Sequence, residues 1–181
     1  MSGRGRPPRR VLIVDGYNII NAGRDFSGAS LADARDKLLD ALMDYAGYSG
    51  QEVILVFDAW MSDRATRTEE RRGAVTVVYT QKGEIADRYI ERLCDDFARD
   101  IEYRRVEVRV ASSDALEQTI VLGRGATRMS ARELMLEMQT MRTEGIRHAA
   151  PAQPVTRRSP IADRLPEEVR RRLDALRKGL K

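Results

Sequence analysis

A single cysteine, Cys94, leaves no partner for an internal disulfide and excludes a zinc centre built on several thiolates. It falls inside a helical apolar pattern, so it is read as a core residue and not as a nucleophile. The one histidine, His148, lies beside a proline-rich stretch, which leaves the body of the fold without the base that a Ser-His-Asp or Cys-His site needs. No apolar run approaches the ~20 residues of a membrane span. The arginine-rich start, MSGRGRPPRR, runs into strand-like VLIV with neither a long apolar segment nor a small-residue cleavage site. It is read as a disordered basic arm, not as an export signal. These readings together place the protein in a reducing cytoplasm. There is also no GxGxxG and no GxxxxGK[ST] phosphate loop.

What is present is a globular composition, 42% hydrophobic over 181 residues, with charge unevenly placed. The net charge is +4. The first ten residues contribute four arginines and no acid, and residues 151–181 carry nine Lys/Arg against four Asp/Glu, so residues 11–150 hold a net −5. An acidic body with basic ends points to carboxylates gathered for a metal and arms that meet a polyanion.

VLIV (11–14) and VILVF (53–57) read as strands buried on both faces, because neither alternates. VTVVY (75–79) and VEVRV (106–110) are also strand-like, and the alternation of the last suits an edge or a half-exposed strand. Helical spacing marks 31–48 and 84–101. A shorter helix is expected from Ser112–Asp114, and another over 130–145 with Ser130 as N-cap and Glu133 completing a capping box. The order implies an α/β fold, a central parallel sheet with helices on both faces. The domains expected are a basic arm (1–10), a core domain (11–148), a Pro-rich linker (149–164) and a basic amphipathic C-terminal helix (165–181).

In a parallel sheet the strands' carboxyl ends share one edge, where ligands of α/β sheets bind. Asp15 ends VLIV, Asp58 comes directly after VILVF, Asp87 lies in the first turn of the 84–101 helix and Asp114 comes soon after VEVRV. Asp15 at a strand end also suits a simple turn cap, and both readings stand. Gathered carboxylates repel unless a cation lies between them, and oxygen ligands without His or Cys suit Mg²⁺ or Mn²⁺. Such a site suits metal-assisted phosphodiester hydrolysis. Asn18 could orient a ligand or bond a carboxylate. Asp58 could be a ligand or only hold its loop. Glu84 stays open, whereas Glu91 and Asp95 read as a solvated face.

The series VLIVDGYNII, VFDAW, VYTQKGEIADRYIE, VASSDALEQ and GATRMSARELMLEM resembles the YacP-like NYN-domain family of PIN-like ribonucleases over roughly residues 11–145. The resemblance implies a PIN-like, three-layer fold and a metal-dependent endoribonuclease. By it Asp15, Asp87 and Asp114 take the acidic metal positions, with Asn18 and Asp58 assisting. It further implies mRNA as the RNA cut, on the ribosome. The arm and the C-terminal segment stand outside the matched core. Arg124 and Arg128 are candidate RNA contacts, and Tyr17 and Trp60 could stack a base or pack in the core. Arg64, Arg67, Arg71 and Arg72 suit either a basic RNA-feeding loop or a salt-bridged helix. Two further readings remain: an RNA- or ribosome-binding adaptor of the same fold, and a nucleotide-binding or phosphatase-like enzyme. The missing phosphate loops and the lack of a second Asp two residues after Asp15 speak against the last.

Overall fold

The computed structural model describes residues 7–59, 65–113 and 125–149. Along the chain it contains β1 (Arg9–Asp15), α1 (Gly16–Ala22), a 3-10 turn (Arg24–Phe26), α2 (Leu31–Ser49), β2 (Glu52–Phe57), β3 (Thr68–Arg72), β4 (Val75–Tyr79), α3 (Ala86–Glu102), β5 (Val106–Ala111), β6 (Thr127–Met129) and α4 (Ala131–Ala149). The strands form one sheet in the order β3-β4-β2-β1-β5-β6. All neighbours run parallel except β3, which returns antiparallel along β4.

β1 is flanked by β2 and β5, with Asp15 level with Val56 and Val14 level with Ala111. From β1 the chain builds β2 and β4 on one side, then crosses through α3 to β5 on the other. The carboxyl ends of β1 and β5 therefore mark the point where the strand order reverses, the usual ligand crevice of an open α/β sheet.

The four residues VLIV are buried in succession because both sheet faces are covered. Leu12 and Val14 join Leu55, Phe57 and Val77 beneath Ile19 of α1, Leu38 and Leu42 of α2 and Leu134 of α4. Val11 and Ile13 face the opposite way, with Val56, Val78 and Val110 under Tyr89, Ile90 and Cys94 of α3. Each such side chain contributes about 1.5–3 kcal/mol of burial. Cys94 is thus core, as expected. The helix boundaries reflect local chemistry. Ser30 caps α2 by accepting the Asp33 N–H at 3.1 Å, and Gly50 ends it in the left-handed region at φ 64°. The expected capping box opens α4: Ser130 Oγ accepts the Glu133 N–H (3.2 Å) and Glu133 accepts the Ser130 N–H (2.7 Å).

The structure departs from the sequence reading in three places. Residues 68–72 are neither an RNA-feeding loop nor a helix but an exposed edge strand, and its charges suit an edge that must not pair further. β5 is not an edge, because the short β6 lies outside it. Its alternation arises because Val106, Val108 and Val110 face α3, while Arg109 on the other face pairs with Glu137 of α4 at 2.7 Å. Residues 16–22, to which the sequence reading gave no helix, form α1. The expected Asp114 helix, the linker and the C-terminal helix lie outside the described residues. Among the described residues no helix is long and apolar enough to cross a membrane.

Candidate active site

Asp15 is 7% exposed at the end of β1 and does two jobs for the backbone. It closes the strand and caps α1, its Oδ1 accepting the Asn18 N–H at 3.1 Å. The cap is therefore real, and it holds the carboxylate at the carboxyl edge. Position 16 is glycine because nothing larger fits: a Cβ there would lie 2.2 Å from Cε1 of Phe57. Asn18, on the first turn of α1, turns its side chain across the crevice. Its Oδ1 accepts the N–H of Ser113 at 2.6 Å, so the amide ties the β1–α1 junction to the end of β5. Ser113 immediately precedes Asp114 in the chain.

Asp58, directly after β2, accepts the N–H of Ala86, at the start of α3, at 2.7 Å. Asp87, the next residue, is half-buried in the first turn of that helix. Burial pushes the Asp58 carboxyl above the usual carboxylate range; the Ala86 N–H opposes this, and the negative charge of Asp87 adds to the rise. The two acids therefore feel each other, at the positive end of a long helix.

Thr80 and Glu84 also shape this edge; sequence reasoning missed the first and left the second undecided. Thr80, fully buried after β4, accepts the Ala59 N–H at 3.0 Å and donates to the Glu84 carbonyl at 2.7 Å, joining the segment after β2 that carries Asp58 to the residues just before α3. The only sequence signal for it is a small hydroxyl directly after an apolar run. Glu84 belongs to a clamp and not to the acid group. Arg67 grips it at 2.8 Å and lies over the Tyr89 ring (4.5 Å), and Arg92 bonds the same carboxylate from the other side. Burial raises the Glu84 carboxyl, but the hydrogen bonds from Arg92 and Arg67 outweigh it and hold it below its ordinary value of 4.5. A lowered folded-state pKa stabilises the fold above the unfolded value, and the stabilisation is lost as pH falls through the folded pKa. Glu84→Gln should therefore cost about 2 kcal/mol at pH 7. The gap from wild type should close as urea midpoints are measured below pH 4.5; a gap independent of pH would show that the charge is not responsible.

Tyr17 packs against Phe57, ring centres 5.0 Å apart, and is half-buried. Arg128 is exposed on β6, level with Val110, and its charge reaches Glu133. Arg67 is spent on Glu84, Arg71 bonds the Gly73 carbonyl and Arg72 pairs with Glu70. Trp60, Arg64, Asp114 and Arg124 lie outside the described residues. Among the described residues no three His, Cys, Asp or Glu side chains converge to hold a metal ion. The donors that do approach one another are carboxylates alone, a set whose chemistry suits a hard divalent cation once a further acid joins it.

A mostly parallel three-layer sheet with acids at its carboxyl edge is a nuclease-like α/β fold. The model of the YacP-like NYN domain matches residues 12–178, and this chain belongs to that family. The match runs past the 11–145 carried by the motifs, so the C-terminal segment lies within the family's span and not outside it. The protein YacP of Bacillus subtilis (strain 168) is 37% identical over 134 residues, 72% of this chain and 76% of that protein. The crystal structure of Rae1 (YacP) from Bacillus subtilis superposes with a TM-score of 0.62 at 32% identity, covering 93% of this chain and 95% of that one. The crystal structure of a tryptophan-to-leucine mutant of Rae1 gives 0.63 at the same identity, covering 92% and 99%.

Proposed function

We propose that the protein is a metal-dependent endoribonuclease that hydrolyses RNA phosphodiesters in the cytoplasm. The observation that carries this is the acidic carboxyl edge at the reversal of strand order, where Asp15 ends β1, Asp58 follows β2, Asp87 lies in the first turn of α3, and Asn18 holds the residue before Asp114. In this reading Asp15, Asp87 and Asp114 hold Mg²⁺ or Mn²⁺. When bound, the ion acidifies a water and stabilises the departing oxygen. The chain's own part is to place Asp15 at a strand end and Asp87 in the first turn of a helix. Asn18 and Asp58 assist. Tyr17, Arg124 and Arg128 are the proposed RNA contacts, and the basic residues that precede β1 and the C-terminal helix (165–181), joined by the 149–164 linker to the 11–148 nuclease domain, would add phosphate affinity without sequence choice. Arg9 and Arg10, expected in the 1–10 arm, belong to β1 instead, and Arg9 pairs with Glu52. The family resemblance supports mRNA on the ribosome as the substrate.

The test is cleavage of a labelled mRNA by the full chain with Mg²⁺, Mn²⁺ or EDTA, on naked RNA and on translating ribosomes in parallel. Internal cuts that vanish in EDTA and return with added metal are expected. Intact RNA in every arm, with RNA or ribosome binding retained, would overturn the nuclease reading in favour of an adaptor.

A further inference from the structure

α3 begins without a cap of its own. Its N-cap residue is Ile85, which has no side chain able to accept a hydrogen bond, so the first turn must be satisfied from elsewhere. Asp58 does this from just beyond the end of β2, 28 residues back along the chain, through the 2.7 Å bond from the Ala86 N–H. Thr80 makes the same junction from the backbone side. Its one hydroxyl accepts the N–H of Ala59, next to Asp58, and donates to the carbonyl of Glu84, just before α3. Three hydrogen bonds thereby pin the ends of β2 and β4 to the start of α3, which carries Asp87 in its first turn. A carboxylate placed on a helix start inherits the position of that start, and small misplacements of a reacting group cost rate steeply.

We propose that Asp58 is a positioning residue: it caps α3 in trans and, with Thr80, sets the place of Asp87, and it acts as a hydrogen-bond acceptor and not as a charge. The inference rests on reading Asp87 as part of the cleavage site. An amide at position 58 keeps an acceptor oxygen and discards the charge, whereas a methyl group discards both. Asp58→Asn and Asp58→Ala therefore separate a cap from a metal ligand. Thr80→Val, equal in shape and without the hydroxyl, probes the second pin.

The experiment uses the full chain and two readouts. The first is hydrogen exchange of the Ala86 amide and its neighbours in metal-free protein, which reports opening of the helix start. The second is cleavage of labelled RNA across a Mn²⁺ titration. Asp58→Ala should speed exchange at Ala86 by about fivefold to tenfold, the size of a lost cap, and cleavage should fall with it. Asp58→Asn should keep exchange at Ala86 within about threefold of wild type, the difference between a charged and a neutral acceptor, and cleavage should fall no further than that exchange rises, with the half-saturating Mn²⁺ unchanged. Thr80→Val should raise exchange and lower cleavage in the same direction as Asp58→Ala. The proposal is overturned if Asp58→Asn is as inactive as Asp87→Asn while exchange at Ala86 stays wild-type. It is equally overturned if Asp58→Ala leaves that exchange unchanged. Should the wild type cut no RNA, the nuclease reading fails, and the exchange arm still decides the cap by itself.

Discussion

Asp87→Asn is expected to lower RNA cleavage by about a thousandfold or more, the scale of losing a group that holds charge at a reacting phosphate, while the protein stays folded. The two halves of this expectation have separate physical causes. Asn is nearly the shape of Asp, and position 87 is half-buried in the first turn of α3, so packing is unchanged. Removing one of two neighbouring carboxylates also removes a repulsion: the Asp58 carboxyl, which burial and the Asp87 charge both push upward, should titrate closer to its ordinary range in the variant. Cleavage rate, a thermal melt and a carboxyl-carbon NMR titration on one preparation check all three. A variant that cuts at the wild-type rate would remove Asp87 from the site. A variant that is inactive but melts far lower would show a folding defect instead.

Gly16→Ala should add a costly methyl to the buried core. The new Cβ would sit 2.2 Å from Cε1, 2.5 Å from Cδ1 and 2.9 Å from Cζ of Phe57. Phe57 is 1% exposed and cannot step aside, being held between the rings of Tyr17 at 5.0 Å and Tyr79 at 5.5 Å. Overpacking of this kind costs about 1–3 kcal/mol, which for a chain of this size lowers the melting temperature by roughly 2–12 °C. The strain falls on the peptide next to Asp15, so cleavage should drop even at temperatures where the variant is folded. A smaller residue at 57 opens the space the methyl needs. Gly16→Ala combined with Phe57→Leu should therefore melt higher than the sum of the two single losses, a coupling that thermal melts of the four proteins measure directly. Additive losses would mean that the two positions do not touch.

Much of this molecule is legible one residue at a time. Uninterrupted apolar runs announced β1 and β2, because strands covered on both faces need no alternation, and the β-branched run VTVVY announced β4. Ser130 and Glu133 announced the start of α4, because a capping box is a local device. Asp15 and Asp87 stood out because parallel topology gathers the residues just beyond each strand at one edge, so an acid there carries meaning. β3 escaped notice because TEERR, exposed along its length, has no apolar face to give a period. β6, with three residues, and α1, with seven, are too short to show one.

The sequence by itself determined the strands buried on both faces, the capping box of α4 and the supply of carboxylates without thiol or imidazole. All of these depend on neighbours within a few residues. Only the tertiary structure decided which polar side chains hold the edge together. Asn18 meets Ser113 across 95 positions, Asp58 meets Ala86 across 28 and Arg67 meets Glu84 across 17. No periodicity or spacing encodes such pairs. They exist because the sheet brings the ends of separate strands to one edge, where every buried N–H must find an acceptor from whatever chain arrives beside it.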